Sequence, residues 1–356
     1  MISSGPRIIS KARLLALGEK NIEDALSFFE ALSLGEKKPE YPIILLHKNK
    51  GKCVSLGCFQ IAEEDFSIDY LRKKGLKYFF RLHGGDVMLH DEDQIGIGLI
   101  VPNDEGYKDI YSSLMGFLMK RNGIKNFQVT NDYILCFNKI LGEVTYLEKE
   151  NVLCWFTVIY LKRNYEEIAG LKSPREQLIK ERASKLRENC IGLEQVLRKK
   201  VSEEQIFEMI KNVLSDDLNF ELKSFRLGLN EKKLLWKSRE KLRKNQIHEK
   251  VQLKYMQFKQ SSVSRETLFS KRLINGLLRI WVKVKDNVLD KVSISGSFMF
   301  EPPEKLEVFE KTLEGNIIEE PLLTEKVTEF FINEKIKASF TPFDVVELLC
   351  KASGGK

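Results

Sequence analysis

The sequence predicts an α+β fold in two domains, and three observations carry that prediction. Apolar runs come in pairs joined by turn-like stretches, as the strands of an antiparallel sheet require. Between them lie amphipathic segments that carry helix start and stop signals. The composition changes at Ser173 and again near residue 262, and 356 residues suffice for more than one core.

Asn21 to Leu34 reads as an amphipathic helix with Ala25, Phe28, Phe29 and Leu32 on one face. "YPIILLHK" and "CVSLGCFQ" read as strands across the turn-like "NKGK". "AEEDFSIDYLRKKG" reads as one helix, acidic early, basic late and capped by Gly75. "LKYFFRL" is a strand that delivers the chain to Gly84-Gly85, and "VMLH" and "QIGIGLIVP" read as the arms of a hairpin. Residues 106–123 form a helix ended by Gly123. The strand-rich stretch that follows turns near Phe137-Asn138 and between Glu148 and Asn151.

From Ser173 the chain is charged and helical, and residues 229–269 are very basic, a solvated helix and a linker. "QSSVS" marks a boundary near residue 262. Beyond it stand two strands around Asp286-Asn287, a helix opened by prolines and closed by Gly315, and two more helices. The expected domains are 1–261, with a helical basic segment at 174–261, and a smaller α+β domain at 262–356.

The net charge of +7 is spread thinly, and suits a phosphate-bearing small molecule or an acidic protein. Nucleic acid is disfavoured, because the basic 229–260 stretch has few aromatics on which bases could stack. Six cysteines without CxxC pairs and four histidines give no zinc spacing. The first residues lack the apolar core of a signal peptide, and no apolar run approaches the roughly 20 residues that cross a bilayer. These features predict a reduced, cytoplasmic, monomeric protein without membrane contact.

The segment with chemistry in it is "RLHGGDVMLHD", Arg81 to Asp91. Adjacent glycines after a strand remove side chains where backbone approaches something closely. Arg81 offers a planar donor fork suited to phosphate or carboxylate. Together they outline a cradle for a nucleotide or an acyl-adenylate. With "LGCFQ" before it and "NDYILCFNKILG", Asn131 to Gly142, after it, the segment resembles the lipoate–protein ligase branch of the biotin/lipoate ligase and lipoyltransferase superfamily. That family's motifs are "GxxQ", "RRxSGGGAVxHD" and "NDIxVxGxKIxG". The stretch from Leu277 to Gly315 is similar to the ligases' accessory domain.

The resemblance implies a class II synthetase-like mixed sheet, largely antiparallel, with flanking helices. It implies activation of lipoate by ATP and transfer to a lysine of a lipoyl carrier, such as a dehydrogenase E2 or the glycine-cleavage H protein. Lys139 falls on the essential lysine; read without the motif, it is an ordinary strand lysine. Arg81, Gly84, Gly85, Asp86, Val87, Met88, Leu89 and Lys139 would bind ATP and the lipoyl-adenylate. Asn131 and Asp132 offer oxygens to Mg²⁺, or simply start a turn. The chain departs from the pattern at Phe80, where an arginine is usual, at Asp86, where a glycine is usual, and at "LCWFTV", which lacks the later histidine. Two alternatives therefore stand: a cysteine-dependent octanoyl or lipoyl transferase acting through Cys154 or Cys136, and a binder without catalysis.

Overall fold

"QIGIGLIVP" and "VLCWFTVIY" are apolar apart from Gln94 and Thr157, as expected of strands covered on both faces. In a computed structural model they are the buried central strands β6 (Gln94–Pro102) and β10 (Val152–Tyr160), hydrogen-bonded antiparallel to each other. The structure describes residues 10–33, 38–130, 133–148, 150–172, 176–224, 226–260, 266–273 and 276–353. Strands are numbered β1 to β16 along the chain.

Two compact units divide the chain. The first comprises Met1–Cys53, His90–Gly170 and Pro174–Glu240; the second comprises Val54–Leu89, Leu171–Ser173 and Lys241–Lys356. This departs from the contiguous division at residue 262 expected from the sequence, because residues 54–89 join the C-terminal segment. The reason is a shared core. Cys58, Phe59 and Ile61 lie in one buried cluster with Leu278, Ile280, Phe298 and Phe300. Phe59 stacks on Phe298 with ring centroids 5.0 Å apart. Burial of a side chain of this size stabilises by about 1.5–3 kcal/mol.

The first unit is built on an eight-stranded sheet in the order β11-β1-β2-β6-β10-β9-β8-β7. Its members are β1 (Ser10–Lys20), β2 (Ile43–Asn49), β6, β7 (Phe127–Val129), β8 (Tyr133–Cys136), β9 (Lys139–Glu148), β10 and β11 (Phe220–Ser224). β1 pairs in parallel with β2 and β11, and the remaining pairs are antiparallel. The sheet is thus mixed and largely antiparallel, as expected. β1 and β11 were not legible as strands, since each mixes charged with apolar residues and pairs only with distant chain.

One face of this sheet packs Ile95, Ile97 and Leu99 against Tyr111, Leu114 and Leu118 of the helix Ile110–Arg121. On the other face Gly96 leaves room for the His47 ring, which a Cβ there would meet at 2.0 Å. The helix Ile22–Ser33 covers that side, where Phe29 meets Phe156 at 5.3 Å between centroids. The turn Phe137-Asn138 has φ of 52° and 60°, the left-handed pair that a two-residue hairpin needs.

The second unit holds the sheet β12-β13-β14 (Glu266–Leu273, Gly276–Lys285, Val288–Ser297), the pair β15 and β16 (Phe300–Glu301, Lys337–Ala338) and the small sheet β4-β3-β5. β3 is Cys53–Leu56, β4 is Lys77–Phe80 and β5 is Met88–His90. β5 joins this small sheet while β6 joins the large one, so the expected hairpin of these two strands does not form. The helix expected from residue 62 to 75 is two, Ala62–Asp65 and Ile68–Lys74. Ser67 interrupts it and caps the second piece by accepting from the Tyr70 N–H. The basic stretch forms the helices Leu229–Arg243 and Gln246–Gln260.

Candidate active site

The glycine segment lies wholly within the second unit, and its conformation has a local cause. The Gly85 N–H donates to the Phe298 carbonyl at 2.9 Å, and Gly85 has φ of +98°. A Cβ on Gly84 would sit 1.8 Å from the Phe298 oxygen, and one on Gly57 would sit 2.4 Å from the Gly85 oxygen. Three glycines thus let three backbone segments touch. The close approach read from the sequence exists, and its partner in this structure is the chain's own C-terminal segment.

Arg81 is buried, and its fork is turned onto the protein. One arm donates to Ser55 Oγ at 2.6 Å; the other donates to the Gly84 and Asp86 carbonyls at 3.2 and 2.7 Å. Asn245 donates to the Arg81 carbonyl at 2.7 Å, and so ties the helix Gln246–Gln260 to the end of β4. Phe80, the residue in place of an arginine, stacks on His248 of that helix with centroids 3.3 Å apart. Burial pushes the His248 imidazole down to about 4, so the ring is neutral at pH 7.

Asp86 is the exposed corner of the loop. Its Oδ1 accepts from the Val87 N–H at 2.7 Å, from Gln60 Nε2 at 3.4 Å and from the Lys172 ammonium at 3.1 Å. Gln60 Oε1 accepts from the Gly57 N–H at 2.9 Å, so the "GxxQ" glutamine braces the glycine turn. Met88 and Leu89 continue as β5, with Leu89 buried. Below the loop, Asp65 and Arg279 form a buried pair at 3.0 and 2.7 Å. Lys172 and Arg279 were not singled out in the sequence, because nothing in their local context distinguishes them from other basic residues.

Lys139 belongs to the first unit, at the head of β9 behind the Phe137-Asn138 turn. Its ammonium donates to the Arg187 carbonyl at 2.8 Å, in the last turn of the helix Glu176–Asn189, where a cation complements the helix dipole. Further along β9, Glu143 accepts from Tyr160 and Arg163, both at 2.8 Å, in a group with a buried guanidinium. Asn131 and Asp132 lie outside the described residues. The structure therefore gathers Arg81, Gly84, Gly85 and Asp86 into one hydrogen-bonded loop, and presents Lys139 separately in the other unit.

The cysteines weighed as nucleophiles are both fully buried, Cys136 in β8 and Cys154 in β10. Burial pushes the Cys136 thiol up, away from the thiolate. His90 and Asp91 are also buried. Desolvation holds the Asp91 carboxyl up at about 6, while its backbone carbonyl accepts from Asn49.

A mixed, largely antiparallel sheet with flanking helices, together with the glycine motif loop, is the arrangement expected of the lipoate ligase and lipoyltransferase class. A family model described as lipoyl protein ligase A/B catalytic domain matches residues 21–215, more than half of the chain, and the chain belongs to that family. Lipoate-protein ligase A subunit 1 of Thermoplasma acidophilum is 28% identical over 96 residues, which are 27% of this chain and 36% of that protein. The chain thus spans about a third of that relative's length. Octanoyltransferase LipM of Clostridioides difficile is 22% identical over 262 residues, covering 65% of this chain and 95% of that one. Among solved structures, P. falciparum LipL1 in complex with lipoate superposes with a TM-score of 0.65 at 13% identity, over 95% of this chain and 98% of that chain. At such identity the likeness is one of fold. Among the described residues, no helix is long and apolar enough to cross a membrane.

Proposed function

We propose that this chain is an ATP-dependent lipoate–protein ligase. The lipoate carboxylate attacks the α-phosphorus of ATP and expels pyrophosphate. The amine of a carrier lysine then attacks the lipoyl carbonyl, and AMP leaves. The carrier is a lipoyl domain, such as that of a dehydrogenase E2 or a glycine-cleavage H protein. The nucleotide is assigned to the stretch Gly84 to Leu89, with Arg81 holding that loop in shape, and Lys139 supplies the charge that stabilises both transition states. Mg²⁺ would be held by Asn131 and Asp132, whose amide and carboxylate oxygens suit a hard cation; no step here depends on it.

The observation that favours a ligase over a thioester-forming transferase is the burial of Cys136 and Cys154 in central strands. A nucleophilic thiolate needs an accessible, electropositive setting. The similarity to an octanoyltransferase keeps the cysteine mechanism as the second reading. Lipoate-dependent exchange of pyrophosphate into ATP tests the proposal. Exchange by the wild type supports the ligase. Octanoyl transfer between carriers without ATP, lost in Cys154→Ser or Cys136→Ser, would establish the transferase instead.

A further inference from the structure

The helix Leu229–Arg243 lies outside the matched catalytic region and presents an unusual outward face. Leu229 is 79% exposed and Trp236 65% exposed, while Lys232, Lys233 and Lys237 flank them in the open. Positions 229, 232, 233, 236 and 237 follow helical spacing, so the five side chains share one stripe. The opposite face is fixed within the first unit. Leu235 and Ser238 are buried, Ser238 Oγ donates to Glu30 at 3.2 Å, Arg239 pairs with Asp24 at 2.8 Å, and Glu231 pairs with Arg13 at 3.1 Å. Among the described residues no ion pair engages Lys232, Lys233 or Lys237.

We propose that this stripe docks an acidic protein domain: the carrier whose lysine is to be acylated. This rests on the ligase reading above. A large aromatic and an aliphatic residue two turns apart on one stripe, flanked by cations on an anchored helix, have the composition of an interface centre with a charged rim. Unpaired ammonium groups favour a partner whose carboxylates surround an apolar spot, and such charge complementarity speeds the encounter. An acidic domain fits better than nucleic acid, because the stripe holds a single aromatic on which a base could stack.

The test uses the full chain and the apo form of a dehydrogenase E2 lipoyl domain. Titration of the domain should quench or blue-shift tryptophan emission in the wild type, and the change should vanish in Trp236→Phe, which keeps Trp155 and Trp281. Trp236→Ala should weaken binding roughly ten- to a hundredfold. Lys233→Glu with Lys237→Glu should slow association and flatten its salt dependence. Lipoyl-adenylate formed without carrier should be unaltered in each variant, which also reports that they fold. Unchanged binding of the domain by these variants overturns the proposal. So does tight salt-dependent binding of single-stranded RNA that Trp236→Ala abolishes while the domain binds as before. A wild type that binds the domain through this stripe but forms no adenylate would overturn the ligase reading and leave the docking surface standing.

Discussion

The Gly85 N–H and the Phe298 carbonyl, 2.9 Å apart, join the motif loop to the end of β14 and make the two segments one structure. Gly84 stands beside that bond with its Cα hydrogens against the same oxygen. Gly84→Ala would drive a methyl to 1.8 Å from the Phe298 oxygen, so backbone must move and the Gly85 bond must break. The expected loss is about 3 kcal/mol in the second unit, from overpacking together with the lost hydrogen bond. Denaturant unfolding followed by Trp281 fluorescence would check it. Unaltered stability would show that the loop yields easily.

The buried pair of Asp65 and Arg279 should behave asymmetrically. Asp65→Asn leaves Arg279 without its charge partner and should cost about 3–5 kcal/mol, whereas Asp65→Leu with Arg279→Met together should cost far less. Thermal melts of the two variants distinguish these outcomes. A chain cut at residue 261 should likewise fail to order residues 54–89, because Cys58, Phe59 and Ile61 lose the cluster that buries them. Native-like hydrogen-exchange protection of that segment in the cut chain would contradict this.

Lys139→Ala should lower the rates of both lipoyl-adenylate formation and transfer. A charge aimed at the group that develops charge in the transition state is typically worth about 3 kcal/mol, or about a hundredfold in rate. Lys139→Arg should not restore it, since a guanidinium fork cannot place one small charge between two oxygens. The fold should persist, because the ammonium's contact is with one carbonyl at a helix end. Single-turnover assays of each half-reaction give the comparison.

Asp86 carries a charge where the motif has a glycine, and Lys172 answers it at 3.1 Å. Asp86→Gly should release that ammonium and remove the repulsion toward a phosphate, and so tighten ATP binding by about tenfold at low salt. Calorimetric titration with ATP reads the change directly. Weaker binding in the variant would mean that Asp86 orients the loop through the Val87 N–H and not merely opposes the ligand.

Glu310 gives the second unit a pH dependence of definite sign. Desolvation raises its carboxyl to about 7, against the pull of Lys254 and the Ile294 N–H. Between pH 4.5, its ordinary value, and 7, the folded chain keeps a proton that the unfolded chain has released. This contribution is therefore complete below 4.5 and is lost as pH rises through 7. Glu310→Gln should flatten that part of the profile, measured as denaturation midpoints from pH 5 to 8. An identical slope in the variant would show that another group is responsible.

Local sequence determined much of this protein. Patterning marked the stretches that become β6 and β10 as strand, Phe137-Asn138 and Asp286-Asn287 marked turns, and proline and Gly315 bounded the helix Lys305–Leu313. These features depend on neighbours within a few residues, and a single sequence records such neighbours directly. Motif order likewise indicated the family. Tertiary structure alone decided what Gly84-Gly85 touch, that Arg81 braces its own loop, that Lys172 faces Asp86, and that residues 54–89 fold with the C-terminal segment. Apart from the Arg81 bonds to its own loop, which span three and five residues, each of these is a contact across tens to hundreds of residues. The energy that fixes it lies in burial and pairing between distant segments, which leaves no period or spacing in either one.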